Sequence, residues 1–591
     1  MSRRITAPLA ALSFAAVVAA VAVGAAQQTA TPVAGQMAPE KVDAALNVRI
    51  RAEGLQRSQI MRTEHYLTDV YGPRVTGSPN HENAAKWAVA TMESWGMKNG
   101  HLEPWDFARE GWLNERADGH ILSPVKANLV FAVQAWTPST KGTVRAPAVN
   151  LVTPVGPEAP AAAGRGAAAP TFLGPTQAEL DAYFAQMAPK VKGAIVLVGA
   201  SRVPAFLEVE ATKRRDDEQA RRQYNPDPNA PAGRGGNRGA APPAGGRGGG
   251  QAGQGAQGQP VRLSAQQVNQ QVSAFLMTNG AAVRVADAGE RLGIIRAQSG
   301  NGYDAGKQLP GVLLRNDDYG RIARILADGT PVTLEFNIVN HTYPEGKTSY
   351  NAIAEIPGTD KADEVVMMGG HLDSWQAATG ATDNAIGCAI MMEAARILQA
   401  VGAKPRRTIR VALWSGEEEG LLGSLAYVDK HFGTFENPKP EFAKLDAYWN
   451  IDTGTGLVRG GSVFGPAEGG RILAQFMKPW EDFKVYGATV GSSRATGGTD
   501  STSFNHAGLP GIGSSQDPIE YNSHTHHTNL DTYERILPDD VMKDAVITAS
   551  IVYHIAMRDE MMPRFTKEQM PALPAPPAPP ASPAPPVSPA R

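Results

Sequence analysis

Residues 364–420 read EVVMMGGHLDSWQAATGATDNAIGCAIMMEAARILQAVGAKPRRTIRVALWSGEEEG, and this stretch decides the fold. Residues 365–368 and 408–414 are apolar runs that each stop at a glycine-containing pair, which is typical of short buried strands. Between them, apolar residues recur at helical spacing over 384–398, and a glycine and a proline follow as stop signals. The pattern predicts a β-α-β unit whose two strands are parallel.

Acidic and imidazole side chains follow the predicted strands at the points where the strands stop. The first strand is followed by His371, Asp373 and Asp383, the second by Glu417, Glu418 and Glu419, and a third predicted strand by Asp452. Ligands of open α/β sheets collect beyond the carboxyl ends of parallel strands. The sequence therefore predicts one site at this edge of the sheet, although each motif alone is typical of a loop or a solvated helix start.

Residues 523–532, SHTHHTNLDT, add three histidines near the last predicted strand at 509–513. Imidazole mixed with carboxylate suits zinc or another late first-row metal, whereas calcium and magnesium prefer oxygen ligands alone. A catalytic zinc ion typically keeps three protein ligands. Two zinc ions that share one carboxylate fit the five candidate metal ligands His371, Asp383, Glu418, Asp452 and His527, with Glu417 as a spare carboxylate.

A two-metal centre predicts hydrolysis of a peptide bond by activated water. The ions polarise the scissile carbonyl and lower the pKa of a water toward ~7. A carboxylate that binds no metal must then take the proton of this water and pass it to the leaving amine. Adjacent glutamates can divide these tasks, and Asp373, two residues from His371, is expected to fix the tautomer of that imidazole.

The chain resembles the dizinc exopeptidases, which include bacterial leucyl aminopeptidases, plasma glutamate carboxypeptidase (carboxypeptidase Q) and prostate-specific membrane antigen. The resemblance is carried by the motifs GGHLDSW, ATDNAIG, WSGEEEGLLGS, NIDTGTG and HHTNLDT. The short interval from His371 to Asp383 looks most like the carboxypeptidase Q branch. The resemblance implies an α/β fold, a mixed β-sheet flanked by helices, with an inserted, mostly β module similar to a protease-associated domain.

The resemblance also implies a role for each site residue. It makes Asp383 the carboxylate that bridges two zinc ions, with His371 and Asp452 on one ion, Glu418 and His527 on the other, and Glu417 as the general base. His527 is preferred to His526 because it stands four residues before Asp531, which matches the H-x-x-x-D spacing of the family.

The oxyanion donor stays open, because the chain departs from the family pattern here. Leu509 stands in AGLP, where some aminopeptidases of the family have a tyrosine. Tyr521 and His506 are the alternative donors. Asp500, in GGTDSTSF, matches a family motif near the site and is expected to support a ligand.

Composition divides the chain into five segments. They are a signal peptide (1–26), a first part of the catalytic domain (27–141), an inserted protease-associated-like domain (142–345), a second part of the catalytic domain (346–560) and a Pro-rich disordered tail (561–591). Residues 211–259 are so rich in Gly, Arg and Pro that we expect a disordered loop within the insert.

Arg3 and Arg4 precede an apolar run and small residues, which predicts export to the periplasm or extracellular space by the Sec or the Tat route. A membrane anchor is the alternative. The net charge of -2 over 591 residues gives no electrostatic case for a nucleic-acid partner. Cys388 is the only cysteine, so no intrachain disulfide forms, and we expect it to be a small buried residue.

The leading hypothesis is an exported dizinc exopeptidase that acts on short peptides as an aminopeptidase or dipeptidase, without stable membrane insertion. A homodimer, a carboxypeptidase of the same fold, a single-zinc transferase of the glutaminyl cyclase type and a non-catalytic binding ectodomain stay open. An aminopeptidase needs an acidic group for the substrate ammonium, and a carboxypeptidase needs Arg or Lys for the terminal carboxylate. Glu419 and Arg494 are candidates for these respective roles.

Overall fold

The computed structural model describes residues 39–158, 172–204, 213–224, 260–299 and 302–574. The helices are α1 (Ala44–Gln56), α2 (Ile60–His65), α3 (Pro79–Ser94), α4 (Gln177–Val191), α5 (Asp217–Tyr224), α6 (Ala265–Thr278), α7 (Asn316–Ala327), α8 (Ile386–Ala400), α9 (Leu422–His431), α10 (Ala467–Met477), α11 (Ser501–Ala507) and α12 (Pro538–Met557). No helix among these residues has the length and apolar character to cross a bilayer. The predicted signal peptide lies outside the described residues.

The strands form two sheets. They are β1 (Lys98–Asp106), β2 (Gly111–Ser123), β3 (Ala127–Asn128), β4 (Phe131–Val133), β5 (Val144–Leu151), β6 (Ile195–Val198), β7 (Val283–Asp287), β8 (Gly311–Leu314), β9 (Thr333–Tyr343), β10 (Thr348–Ile356), β11 (Lys361–His371), β12 (Arg407–Trp414), β13 (Leu445–Asn450), β14 (Val458–Phe464), β15 (Ala488–Gly491) and β16 (Gly511–Gln516). All these elements belong to the compact unit that begins at Glu40.

The first sheet has the strand order β1-β10-β12-β11-β13-β16-β14-β15. β11 runs parallel to β12 and to β13, and β16 runs parallel to β13. The predicted β-α-β unit is confirmed as β11-α8-β12. α8 is buried from Ile386 to Leu398 and packs against α1, α2 and α12, and its two charged side chains, Glu393 and Arg396, are buried as an ion pair.

The second sheet has the order β3-β2-β9-β5-β6-β7-β8-β4. The second sheet begins at Gly111, because β2 pairs with β9, which lies more than 200 residues later in the chain. The predicted domain boundary at residue 142 therefore falls inside this sheet. Composition alone does not report such a distant pairing. Four helices, α4, α5, α6 and α7, also lie between its described strands in sequence, so the module is mixed α/β rather than mostly β. Its assignment as a protease-associated-like domain stays a prediction.

The prediction of disorder over 211–259 is wrong for residues 213–224, which form an ordered strap ending in α5. Arg214 donates to Asp517 and to Asp540, and the backbone N–H of Arg215 donates to Asp517. These ion pairs give the strap an ordered position that its Gly-rich surroundings do not suggest. Residues 225–259 lie outside the described residues.

The predicted start of the disordered tail, at residue 561, is also too early. Met562 is buried, and its backbone N–H donates to Asp446 at 2.6 Å. Phe565 packs edge-on against Phe464, and Arg564 donates to the carbonyl of Phe442. The first residues of the predicted tail therefore pack against the first sheet and its neighbouring loops. Residues 575–591 lie outside the described residues.

Candidate metal centre

The predicted acidic and imidazole residues lie at the carboxyl ends of three adjacent strands. His371 is the last residue of β11, Glu417 and Glu418 follow β12, and Asp452 follows β13. Because β11 is parallel to both of its neighbours, these strand ends meet at one edge of the sheet. Asp383, directly before the buried helix α8, reaches the same place.

The first group of donor atoms surrounds His371. The Nε2 atom of His371 lies 3.2 Å from Asp452 Oδ1 and 3.3 Å from Asp383 Oδ1. All three side chains are buried or nearly so, and their donor atoms lie within 4.8 Å of one another. Such a triad of one imidazole and two carboxylates can hold a divalent metal ion.

The second group shares Asp383 with the first. His527 Nε2 lies 3.2 Å from Asp383 Oδ2 and 2.8 Å from Glu418 Oε2. His526 Nε2 is farther away, at 3.8 Å from Asp383 Oδ2. The structure therefore brings the five predicted ligands together, with one oxygen of Asp383 toward His371 and the other toward His527.

The electrostatics distinguish the two adjacent histidines. Burial opposes a charge on His527, but Glu418 and Asp383 raise its pKa to about 10. Burial lowers the pKa of His526 to about 4. His527 thus lies where negative charge attracts a cation, which agrees with the sequence-based preference for His527.

The donor set fits a metal ion such as zinc. Glu418 Oε1 is buried and has no hydrogen-bond partner among the described residues, where the only ion-pair contacts of buried Asp383 Oδ2 are those with His526 and His527. Buried carboxylates without compensation are costly, whereas a divalent cation satisfies several of them at once. Mixed imidazole and carboxylate donors match the preference of zinc rather than that of calcium or magnesium.

The tautomer of His371 is fixed by a backbone group. His371 Nδ1 lies 3.0 Å from the carbonyl oxygen of Asp373, which can only accept, so Nδ1 carries the proton and Nε2 keeps its lone pair for a metal. The carboxylate of Asp373 is farther away, at 3.8 Å. The expected residue is therefore in place, but its carbonyl and not its carboxylate makes the contact.

The Asp373 carboxylate instead supports the two glutamates. Its oxygens accept the backbone N–H groups of Glu417 at 3.3 Å and Glu418 at 3.2 Å, and the hydroxyl of Thr76 at 3.1 Å. The Thr76 hydroxyl also accepts the N–H of Gly416. Asp373 thereby fixes the turn that presents both glutamates, which is a positioning role.

The loop GPRVTGS, residues 72–78, also supports the metal centre. Arg74 is buried and donates to the carbonyls of Leu372, Thr379 and Gly380, which flank the metal-site loop. These three hydrogen bonds hold the 371–383 loop in place. An Arg between two glycines of a short loop was the only local sequence signal for this role.

The second-sheet module also reaches the centre, through residues 294–299. Ala297 donates its N–H to the carbonyl of His527, and Asn529 donates its N–H to the carbonyl of Ile295. The side-chain amide of Gln298 lies 2.9 Å from His527 Nδ1. These contacts hold His527 in a left-handed backbone conformation (φ 61°) that non-glycine residues rarely adopt.

Glu417 is placed beside the ligands without being one of the closest donors. Its Oε2 lies 4.0 Å from His371 Nε2, and the side chain is 13% exposed. Burial raises the pKa of Glu417 well above its usual range, and the charges of Asp452, Glu418 and Asp500 act in the same direction against that of His371. A carboxyl with a raised pKa is suited to holding a proton in transit.

The remaining candidates fall into two groups. Tyr521 lies in the site, where its hydroxyl donates to Asp383 Oδ1 at 3.0 Å, and Asp500 is buried close enough to affect the pKa of Glu417. Arg494 is bound by Glu436 and by the carbonyl of His506, so its guanidinium is not free for a substrate carboxylate. The His506 ring contacts the carbonyl of Arg494 rather than any predicted ligand.

The two other sequence-based expectations concern Glu419 and Cys388. Glu419 is near the site, and its buried Oε2 has no hydrogen-bond partner among the described residues. Cys388 is fully buried in α8, as expected, and its Sγ donates to the carbonyl of His371 at 3.1 Å. Burial raises the pKa of this thiol, which makes it a poor nucleophile.

The part of the sequence that contains this centre also identifies the protein family. The sequence profile of peptidase family M28 matches residues 351–550, which include every predicted ligand. The chain contains an M28 peptidase domain. The resemblance that its motifs carry to the dizinc exopeptidases is confirmed.

Relatives of the M28 domain include carboxypeptidase Q of Mus musculus, which is 30% identical over 261 residues, covering 44% of this chain and 53% of the mouse protein. Leupeptin-inactivating enzyme 1 of Streptomyces exfoliatus is 32% identical over 170 residues, covering 28% of this chain and 35% of that enzyme. The chain thus matches about half the length of the carboxypeptidase Q relatives.

A solved structure agrees with the fold. The peptidase M28 precursor from Shewanella amazonensis SB2B is 22% identical, with a TM-score of 0.56, and the match covers 88% of this chain and 99% of that one. The mixed α/β architecture with helices around the sheets is therefore that of M28 structures.

Proposed function

We propose that this M28 peptidase is a zinc-dependent exopeptidase that hydrolyses short peptides at two zinc ions. The observation that carries the proposal is the position of Asp383, whose two oxygens face His371 and His527 respectively. One carboxylate between two imidazoles, each with a further acid of its own, is an arrangement that could hold two neighbouring cations.

His371, Asp452 and Asp383 would hold one zinc ion, and His527, Glu418 and Asp383 would hold the other. Zinc in these positions supplies polarisation of the peptide carbonyl and activation of the attacking water. The chain provides the orientation: the carbonyl of Asp373 directs Nε2 of His371, and the carboxylate of Asp373 fixes the turn that carries Glu418.

Glu417 is proposed as the general base. It takes the proton of the attacking water and passes it to the nitrogen of the leaving amine, so that the carboxylate is restored at the end of the cycle. Its partial exposure gives it access to the substrate side of the centre. Tyr521 is proposed as the donor to the developing oxyanion, because its hydroxyl already lies at the shared carboxylate.

We further propose that the protein is exported and that the mature chain begins near residue 27. The support is the arginine pair, the apolar run and the small residues of the first 26 positions. N-terminal sequencing of the protein recovered from a periplasmic extract and from the medium tests this proposal. A start at Met1 would contradict it.

The test of the function is zinc reconstitution. The metal-free protein is titrated with zinc while hydrolysis of leucyl-glycine is followed, and we expect activity to require two equivalents. Full activity at one equivalent, with cyclisation of N-terminal glutamine, would favour the single-zinc transferase. Bound zinc without hydrolysis of any peptide would favour a binding ectodomain.

A further inference from the structure

The short strand β4 is an edge strand of the second sheet, and one of its sides is open. Among the described strands, β4 is hydrogen-bonded to β8 alone, in antiparallel orientation. The N–H of Gln134, the residue after β4, donates to the carbonyl of Gly311 on β8. Because ladder bonds alternate along an antiparallel pair, the backbone groups of Phe131 and Val133 face away from β8. Such unpaired edge groups are a template for a further strand.

The open side of β4 lines a groove of about 530 Å³, a volume within the usual range of ligand sites, about 300–1,000 Å³. The opposite wall comes from β2 and includes Asp118 and His120, and the metal-site loop contributes Gln376 and Ala377. None of the described residues that line the groove is a lysine or an arginine. The groove therefore has no cation for a terminal carboxylate, and it suits a peptide chain that passes along it.

The groove adjoins the metal centre at Ala377. This residue also lines the cavity formed with Asp383, Glu418 and His527. The side chain of alanine is a single methyl group, so the two spaces are no more than one residue's width apart. An extended peptide advances about 3.3 Å per residue. A peptide held at the metal centre can therefore enter the groove within a few residues of its scissile bond.

Gln376 supports this path with its side-chain amide. Its Nε2 donates to the carbonyl of Val133 at 2.8 Å, which is a bond that an added strand would also make with β4. A carbonyl can only accept, so this contact fixes the orientation of the amide. Gln376 Oε1 is buried and has no hydrogen-bond partner among the described residues. Buried acceptors are normally paired, and the N–H of a passing peptide would satisfy this one.

We propose that the part of the substrate beyond the scissile bond binds along the open side of β4 as an added strand. In this mode of recognition, main-chain hydrogen bonds supply the affinity, whatever the side chains of the peptide are. The inference rests on the proposed peptidase function. It makes extended peptides longer than a dipeptide the preferred substrates.

The first experiment compares leucyl-alanine with leucyl-tetraalanine. The zinc-loaded wild type is expected to show a kcat/KM at least tenfold higher for the longer peptide. Most of this gain should appear as a lower KM, because the added bonds are present both before and during the reaction. Equal values of kcat/KM for the two peptides would overturn the inference.

Two methylated forms of leucyl-tetraalanine test the strand geometry. One carries an N-methyl group on the third residue and the other on the fourth, so the first and last peptide bonds are unchanged in both. Neighbouring N–H groups of an extended strand point to opposite sides. One analogue should therefore lose the gain in kcat/KM, and the other should keep it. Equal kcat/KM for the two analogues would contradict binding as a strand.

A matched pair of variants tests β4 itself. Val133→Pro removes an N–H that faces the groove and is not part of the ladder to β8, whereas Val133→Ala shortens the side chain and keeps this N–H. We expect the ratio of kcat/KM between the long and the short peptide to fall at least fivefold in Val133→Pro and to stay at the wild-type value in Val133→Ala. An unchanged ratio in Val133→Pro would contradict the inference. Circular dichroism and zinc content report whether each variant folds, and if Val133→Pro does not fold, the methylated peptides decide the point.

A binding measurement separates this inference from the proposed function. Calorimetric titration of the peptides into zinc-loaded Glu417→Gln protein requires no turnover. We expect leucyl-tetraalanine to bind at least tenfold more tightly than leucyl-alanine, and the two methylated analogues to differ as they do in the kinetics. Absence of peptidase activity in the wild type with this preference intact would refute the function alone, whereas equal binding of all the peptides would refute the inference alone.

Discussion

At the residue scale, the centre depends on which atom each side chain offers. The proton on Nδ1 of His371 is held by a carbonyl, and Nδ1 of His527 faces an amide, so both rings direct Nε2 inward. The two adjacent glutamates differ in the same way: Glu418 contacts His527 closely, and Glu417 stands 4.0 Å from His371. Small differences of position thus separate a predicted ligand from a predicted base.

Glu417→Gln is expected to reduce kcat for leucyl-glycine by about 10²–10⁴-fold, the usual contribution of a general base. Zinc content should stay at the wild-type value, because the amide has nearly the same shape and Glu417 is not among the closest donors. Steady-state kinetics and elemental analysis measure both. Near-normal turnover would contradict the assignment, and Glu345→Gln, at an exposed position, serves as the control.

Gln298 is expected to be a positioning residue for His527. A metal on Nε2 leaves the proton on Nδ1, which the carbonyl oxygen of the Gln298 amide can accept once the amide is turned about its axis. Gln298→Ala should weaken zinc binding by about 10–100-fold, as loss of such partners does. Gln298→Glu, which still accepts this proton, should keep the wild-type affinity.

Competition with a zinc-binding dye measures these affinities without any turnover. Gln56→Ala, at an exposed position in α1, is the matched control. Equal zinc affinity of Gln298→Ala and the wild type would remove Gln298 from the support of the metal centre. A change of melting temperature without a change of zinc affinity would indicate a structural role only.

At the element scale, the strap 213–224 is fastened to the first sheet by charges. Asp517 is buried and accepts from Arg459 at 3.0 and 3.1 Å and from the N–H of Arg215 at 3.0 Å. Arg459, on β14, also pairs with Asp217 of α5. Because Asp517 lies four residues before Tyr521, the strap supports the segment that ends in His527.

Asp517→Ala is expected to lower the free energy of unfolding by about 3–5 kcal/mol, because it leaves the buried charge of Arg459 without its main partner. Urea unfolding followed by fluorescence measures this loss. Hydrogen exchange in residues 213–224 should also accelerate. Asp429→Ala, at an exposed position on α9, should change neither, and an equal effect of both variants would contradict the role of the strap.

At the scale of the whole molecule, the centre joins parts of the chain that are distant in sequence. Its donors come from the ends of β11, β12 and β13 and from the loop that contains His527. The second-sheet module contacts that loop through Ile295 and Ala297. A metal ion held here would therefore link both sheets of the molecule.

Removal of metal should lower the melting temperature by several degrees. A ligand present at 1,000 times its dissociation constant stabilises the native state by about 4 kcal/mol, and a chelator removes this contribution. Differential scanning calorimetry with and without chelator, then with zinc restored, measures the change. Asp383→Ala, which lacks the shared carboxylate, should show little response to the chelator, and an unchanged wild type would contradict a structural effect of the metal.

The sequence by itself determined the β-α-β unit, the family and the set of acids and histidines at the strand ends. These follow from local patterns: apolar periodicity defines strands and helices, and motif residues such as His371 and Asp383 are close in the chain. Segment limits based on composition were less successful, because residues 213–224 and Met562 are held by contacts that composition does not report.

Only the tertiary structure decided which groups support the centre. Gln298 reaches it from the second-sheet module, and Asp373 fixes the His371 ring through its carbonyl oxygen. The second sheet starts at Gly111 because β2 pairs with β9. Such contacts join residues hundreds of positions apart, and their selection depends on packing and pairing in three dimensions, for which a single sequence carries no local signal.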